Sequence, residues 1–246
     1  MTLALEDPGR EALIRSSILG KPALKDWYVS IYERWAAALT TIPEGGLVVE
    51  LGAGAGFAER TVPGLLRTDT IAYPGVDQVA DALAMPWADG EVRAIFLLNV
   101  MHHLPDAHQF LSEAQRVLKP GGLLLITDPH IGVLSRWIYG WGHHEPLDPS
   151  APEWKFPVAH ALSGANIALT WIVFQRDLKI FEKSFPELKM EAYERFAPLQ
   201  YWLSGGLTRW DLVPSWGVKA VRALDRFIIK FWPDTASFCH VVVRRV

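Results

Sequence analysis

The sequence predicts an α/β fold built on a mostly parallel sheet, and two observations carry that prediction. Between residues 46 and 128, short β-rich runs alternate with helix-like stretches, the pattern of successive βαβ units. The run Val48-Val49-Glu50-Leu51 also passes directly into glycine at every second position, Gly52, Gly54 and Gly56. Bare backbone is thereby set at the carboxyl end of a strand, where open α/β sheets bind ligands.

The elements follow in order. Trp27, Tyr28, Ile31, Tyr32 and Trp35 stripe one face of a helix over residues 26–39, within an N-terminal helical cap of residues 1–42. Gly45-Gly46 is the turn before the first strand, residues 47–51, and a second strand ends at Asp69. Residues 76–80 and 94–99 are apolar runs of strand length. Asp106 caps a helix whose Phe110, Leu111, Ala114, Val117 and Leu118 repeat at helical spacing. The turn Lys119-Pro120-Gly121-Gly122 then launches a strand over 123–127, closing a cofactor-binding half of residues 43–129.

Residues 130–170 carry many Pro, Gly, His and Trp with no sustained period and read as an irregular insertion. Beyond it come a helix over 171–185, a strand over 188–196, a helix over 215–231 with Val221, Leu224, Ile228 and Phe231 inward, and a strand over 236–246. The last two strands are predicted to pair antiparallel at one edge. The expected whole is one domain, residues 1–246, with seven strands, segments 130–170 and 196–212 as a lid, and 171–246 as the second half of the sheet.

Composition narrows the function. A formal charge of −3 without clustered basic residues offers no long-range attraction to nucleic acid or anionic membranes. The single cysteine, Cys239, lies in an apolar run, which fits a buried thiol in a reducing compartment and excludes a Cys-rich metal site. The N-terminus lacks the basic start and apolar stretch of a signal peptide, and no run approaches the roughly 20 apolar residues of a transmembrane helix. A cytoplasmic protein without a membrane span is the expectation. His143-His144-Glu145 reads as a loop, because adjacent histidines point apart and no further ligand spacing supports a metal.

The glycines discriminate between ligands. A dinucleotide loop requires G-x-G-x-x-G, whose third glycine lets helix and strand pack closely; here Phe57 holds that position. Glu50-Leu51-Gly52-Ala53-Gly54-Ala55-Gly56 resembles instead the first motif of class I S-adenosylmethionine-dependent methyltransferases. Further segments resemble the family in the family's order. Asp81-Ala82-Leu83-Ala84-Met85-Pro86 is similar to its D-A-x-x-L-P stretch and Leu98 to Leu104 to the segment after the fourth strand. Glu113-Ala114-Gln115-Arg116-Val117-Leu118-Lys119-Pro120-Gly121-Gly122 matches its E-x-x-R-V-L-K-P-G-G most specifically. The resemblance, to the broad group labelled type 11, covers residues 48–129, about a third of the chain.

That resemblance implies a Rossmann-like sheet and S-adenosylmethionine as cofactor. It implies a cofactor site made of Glu50, Gly52, Ala53, Gly54, Gly56, Asp69, Asp81, Ala82 and Asn99. Asp69, nineteen residues past Glu50, would accept the ribose hydroxyls, and Asp81 would face the adenine. Asp69 also fits a plain turn residue and Asp81 a helix cap. The crossover from Phe57 to Arg67 is short for a full helix.

Methyl transfer needs a nucleophile held in line with the methyl and, for many acceptors, a proton acceptor, for which a histidine suits neutral pH. His103 after the fourth strand and His130 after the fifth are the candidates; His102-His103 also fits a cap on the Asp106 helix. Tyr28 and Tyr32 fit either core packing or a substrate contact. Eleven Trp, mostly in the variable segments, fit either an aromatic lid over a small lipophilic or aromatic acceptor or a homodimer face. The alternatives are a non-catalytic S-adenosylmethionine-binding protein and a nicotinamide-dependent oxidoreductase.

Overall fold

The computed structural model describes residues 8–140, 146–157, 166–208 and 210–246, so Trp141 and the His143-His144-Glu145 stretch lie outside the described residues. The chain begins with two helices, α1 (Pro8–Gly20) and α2 (Pro22–Leu39). Pro22 sits in the first turn of α2, where its missing N–H costs nothing, and Leu24, Trp27, Ile31 and Trp35 form the buried stripe that helical spacing predicts.

The strands are β1 (Leu47–Leu51), β2 (Leu65–Asp69), β3 (Gln78–Val79) and β4 (Val92–Leu98). The short crossover between β1 and β2 holds only a single 3-10 turn, Ala58–Arg60. Helix α3 (Ala107–Val117) follows, capped by Asp106 accepting from the Gln109 N–H at 2.9 Å, and leads into β5 (Leu118–Pro129). The segment read as irregular contains α4 (Val133–Gly140). Its end carries one turn, α5 (Leu169–Trp171), continued by a π-helical turn over Ile172–Arg176 and by α6 (Leu178–Ser184). Then come β6 (Leu188–Phe196), α7 (Gln200–Leu203), α8 (Val218–Phe231) and β7 (Phe238–Arg245).

One seven-stranded sheet results, in the order β3-β2-β1-β4-β5-β7-β6. Strands β1 to β5 run parallel, and β7 pairs antiparallel with both β5 and β6. The antiparallel pair lies at one end of the sheet; the reversed strand is β7, inside the edge strand β6. Phe238, where β7 begins, pairs with Pro129 and with Phe196, so the excursion over residues 197–237 leaves and re-enters the sheet at its carboxyl edge.

The period of two in strand side chains gives the sheet two buried faces. Ile95, Leu97, Leu124, Ile126, Val241 and Val243 meet α3 and Phe174 and Phe181 on one side. Ala94, Phe96, Leu98, Leu123 and Leu125 meet α2 on the other, where Trp35 stacks on Phe96 with ring centroids 4.7 Å apart. The inward face expected for residues 215–231 holds only in part: Val221 and Ile228 are half-buried, Val221 against the cluster of Ala23, Val213 and Val218. Leu224 and Phe231 are exposed, and the buried residues of α8 are Val218 and Asp225. The Asp225 carboxylate accepts from the Leu199 and Gln200 N–H groups at 2.9 and 3.1 Å, which turns α8 so that this acid points inward. Among the described residues, no helix is long and apolar enough to cross a membrane.

Candidate functional site

At the carboxyl ends of β1, β2 and β4 the chain encloses a cavity of about 410 Å³. Gly52, Gly54, Asp69, Asp81, Ala82, Asn99 and His103 all line it. Residues predicted from separate stretches of sequence are thereby brought to one place. Leu104 and Leu207 close it with Ile14 of α1, and Arg10, Glu11 and Tyr73 complete the polar rim.

Each glycine has its own reason. Gly52 has φ +68°, and a Cβ there would stand 2.5 Å from Val100 Cγ2. Gly54 has φ +46°, with nothing nearer to its missing Cβ than 3.9 Å, so its bareness leaves room on the cavity side. Gly56 is required by packing, since a Cβ would lie 2.9 Å from the Ala53 carbonyl and 3.0 Å from the Tyr32 hydroxyl. Gly56 does not line the cavity, and neither do Ala53 and Glu50. The Ala53 N–H is bonded to the Thr68 carbonyl at 2.8 Å, and this ties the loop to β2 rather than presenting an amide to a ligand.

Asp69 stands at the end of β2 despite the short crossover. Its Oδ2 accepts from the Gly54 N–H at 3.0 Å and its Oδ1 from the Ile71 N–H at 3.0 Å, leaving acceptor capacity on both oxygens. Burial pushes its pKa upward, opposed by those amide donors. Asp81 is more exposed and folds its Oδ1 onto the Leu83 N–H at 2.8 Å, shaping the turn that carries Ala82. Asn99 takes φ +55°, a conformation Asn tolerates, and so turns the chain out of β4 toward the cavity. Its Oδ1 is buried with no hydrogen-bond partner among the described residues.

Glu50 lies behind the loop with its Oε2 buried and, among the described residues, equally unpartnered. Burial, with repulsion from Glu59 and Asp69 against attraction from Arg67, pushes its pKa up to about 8. Tyr32 is fully buried, its hydroxyl accepting from the Phe57 N–H at 3.4 Å, which makes it a packing residue.

His103 ends a 3-10 turn, Met101–His103, and lines the cavity, with its ring 4.0 Å from that of His102. His130 does not line it. Its ring Nδ1 is 2.9 Å from the Tyr193 hydroxyl, and burial lowers its pKa to about 4. The order of residues along the chain could not separate the two, because both follow a strand at the same edge. A group that sequence reasoning missed holds the His103 turn in place. Asp128, at the end of β5, accepts from the His102 N–H at 3.1 Å, from Thr170 Oγ1 at 2.5 Å, and lies 2.8 Å from His102 Nδ1. The signal was present, since an acid ends the apolar run Leu123-Leu124-Leu125-Ile126-Thr127.

The 196–212 segment does reach the cavity, through Leu207, and Lys21 Nζ anchors it by donating to the Gly206 and Thr208 carbonyls at 2.8 and 2.6 Å. Of the two alternatives for the Trp-rich segments, an aromatic lid has no counterpart in the cavity lining: among the described residues no Trp lines it, while Trp137, Trp210, Trp216 and Trp232 are exposed.

In sequence and in fold the chain is similar to known methyltransferases. The sequence profile of the family described as "Methyltransferase domain" matches residues 60–126. An uncharacterized methyltransferase of Mycobacterium sp. (strain JLS) is 29% identical over 157 residues, 58% of this chain and 56% of that protein. The 2-methyl-6-phytyl-1,4-hydroquinone methyltransferase of Synechocystis sp. is 29% identical over 165 residues, 57% of this chain and 48% of that protein. The chain thus spans about half the length of the curated relatives it matches. In fold it is similar to a chain of the complex between the Haloferax volcanii Trm112 methyltransferase activator and a methyltransferase, with TM-score 0.53, 16% identity, and 98% and 97% of the two chains covered. It is similar as well to geranyl diphosphate methyltransferase in complex with SAM, with TM-score 0.50, 16% identity, and 99% and 93% covered.

Proposed function

We propose that this chain, which belongs to the class I S-adenosylmethionine-dependent methyltransferase family, transfers a methyl group to a small apolar or aromatic acceptor held in the cavity at the carboxyl edge. One observation carries the reading. The Asp69 carboxylate clamps the Gly54 N–H at the mouth of a cavity that Asp81, Ala82, Asn99 and His103 also line.

S-adenosylmethionine supplies a methyl on a positively charged sulfur, open to attack by a nucleophile placed in line. The protein's part is then to hold, orient and dry the site. Asp69 has lone pairs left for two vicinal hydroxyls, and Asp81 with the Ala82 backbone would take the base. The buried Asn99 Oδ1 is an acceptor waiting for a donor such as an ammonium. Ile14, Val100, Leu104 and Leu207 exclude water and favour an apolar acceptor. His103 would take the proton the acceptor gives up. The phytyl-bearing hydroquinone in the name of the Synechocystis relative supports a lipophilic aromatic acceptor. Cytoplasmic residence belongs to the same reading, supported by the lone thiol Cys239 packed in the core.

Calorimetric titration with S-adenosylmethionine and with NAD tests this. The reading expects binding of the first only, weakened by roughly 1–3 kcal/mol in Asp69→Ala through loss of charge-assisted hydrogen bonds. Binding of NAD without S-adenosylmethionine would overturn it.

A further inference from the structure

The outward turn of α8 leaves part of its apolar stripe, with Trp216 and Trp232 beside it, without a partner among the described residues. Trp216 is 84% exposed, Phe227 54%, Phe231 55% and Trp232 58%. The rings of Phe227, Phe231 and Trp232 form one cluster, with centroids 4.9 to 6.5 Å apart. At 100° per residue, Phe227 points directly away from the buried Val218 and Asp225, with Ala220, Ala223, Leu224 and Phe231 beside it.

Charge on this helix is one-sided. Lys219, Arg226 and Lys230 line one flank of the apolar stripe, and among the described residues none of them makes an ion pair. Lys230 instead sits over the Phe231 ring, 5.6 Å from its centroid. The acid of α8, Asp225, is buried and bonded to backbone amides. Three acids near the helix are matched within the fold, Glu194 by Arg34 at 2.5 Å, Asp234 by Arg195 at 2.6 Å and Asp26 by Arg222 at 3.1 Å. The same flank opens on a groove of about 470 Å³ between α2, β6 and α8, lined by Arg226 and Lys230 together with the paired Arg34 and Glu194 and the buried Asp225.

We infer that α8 is a membrane-contact helix, lying in the surface of a bilayer that contains anionic phospholipid. Phe227, Phe231 and Trp232 enter the apolar layer, and Lys219, Arg226 and Lys230 meet the headgroup phosphates. The formal charge of −3 for the whole chain does not oppose this, because at physiological salt a membrane feels charge only within about 8–10 Å. A second copy of the chain is the poorer occupant, since an antiparallel two-fold contact through this face sets Lys219, Arg226 and Lys230 against their own copies. Phe231 and Trp232 also stand by the start of β7, at the carboxyl edge that bears the cavity. An apolar acceptor dissolved in the bilayer would approach that edge.

The test is co-sedimentation of the full chain with vesicles of phosphatidylcholine alone and of phosphatidylcholine mixed with phosphatidylglycerol. Binding to the mixed vesicles is expected, weakening with added salt. The exposed triple variant Lys219→Gln, Arg226→Gln, Lys230→Gln should bind them about 100-fold more weakly. The double variant Phe227→Ser, Phe231→Ser should bind neither kind while keeping its circular dichroism and thermal midpoint. The inference is overturned if the wild type binds neither kind of vesicle, or if the triple variant binds as well as the wild type. It is overturned equally if ultracentrifugation shows a dimer that the double variant abolishes. None of these readouts requires methyl transfer, so they stand apart from the test of the cofactor site.

Discussion

Alanine at Gly52 and alanine at Gly54 are the same chemical change two residues apart, and the geometry makes their costs differ in kind. At Gly52 the new Cβ meets Val100 Cγ2 at 2.5 Å in a backbone held at φ +68°. The left-handed backbone costs about 1–2 kcal/mol for a non-glycine residue, and overpacking against a branched side chain adds about 1–3 kcal/mol. Gly52→Ala should therefore lose roughly 2–5 kcal/mol of stability. At Gly54, with φ +46° and open space to 3.9 Å, only the backbone cost of about 1–2 kcal/mol applies. Its methyl instead intrudes on the cavity beside Asp69, so cofactor affinity falls more than stability. Urea unfolding followed by circular dichroism measures the first quantity and calorimetric titration the second. Val100→Ala in the Gly52→Ala background should restore part of the lost stability, a coupling that a double-mutant cycle isolates. If Gly54→Ala destabilises as much as Gly52→Ala, or if Val100→Ala restores nothing, the steric account of the loop is wrong.

Three further outcomes follow from the same structure. Glu50, raised from 4.5 to about 8 by burial, holds a proton in the folded state that the unfolded chain has released over that window. Stability contributed by this group thus falls as pH rises from about 4.5 to 8 and stays low above it, at about 1.4 kcal/mol for each tenfold difference in proton affinity. Glu50→Gln should flatten that slope and gain stability over the wild type near pH 8.5, as read from urea midpoints; equal slopes would refute the shift. His103→Ala should keep cofactor affinity and lose roughly 10²–10⁴ in transfer rate if it takes the acceptor's proton, whereas His130→Ala, outside the cavity, should leave cofactor affinity unchanged in titration. Asp225→Ala strips the Leu199 and Gln200 N–H groups of their acceptor. The loss of roughly 1–3 kcal/mol should appear in calorimetry as a lower thermal midpoint, by about 2–4 °C per kcal/mol.

The strands that build the site were legible because a parallel sheet buried on both faces demands nearly continuous apolar runs. The glycine loop was legible because close approach of chain to chain or chain to ligand forbids side chains. Asp69, Asp81, Asn99 and His103 could be placed at one edge because each follows a strand, and parallel strands all end on the same side. Helix α8 was read only partly right: Val221 and Ile228 are half-buried as expected while Leu224 and Phe231 are exposed, since nothing in the local period says how far a stripe is turned toward core or solvent. The buried Asp225, bonded to amides more than twenty residues away in sequence, decided that orientation. The Asp128–His102–Thr170 cluster escaped for a related reason, its members being joined only when β5, the Met101–His103 turn and α5 come together. By itself, then, the amino-acid order determined strand sequence, loop chemistry and the edge at which a ligand would lie, all consequences of neighbours along the chain. Which histidine faces the cavity, which glycines serve packing alone and which face of α8 is left bare were decided only in three dimensions, because each depends on distant side chains competing for the same buried space.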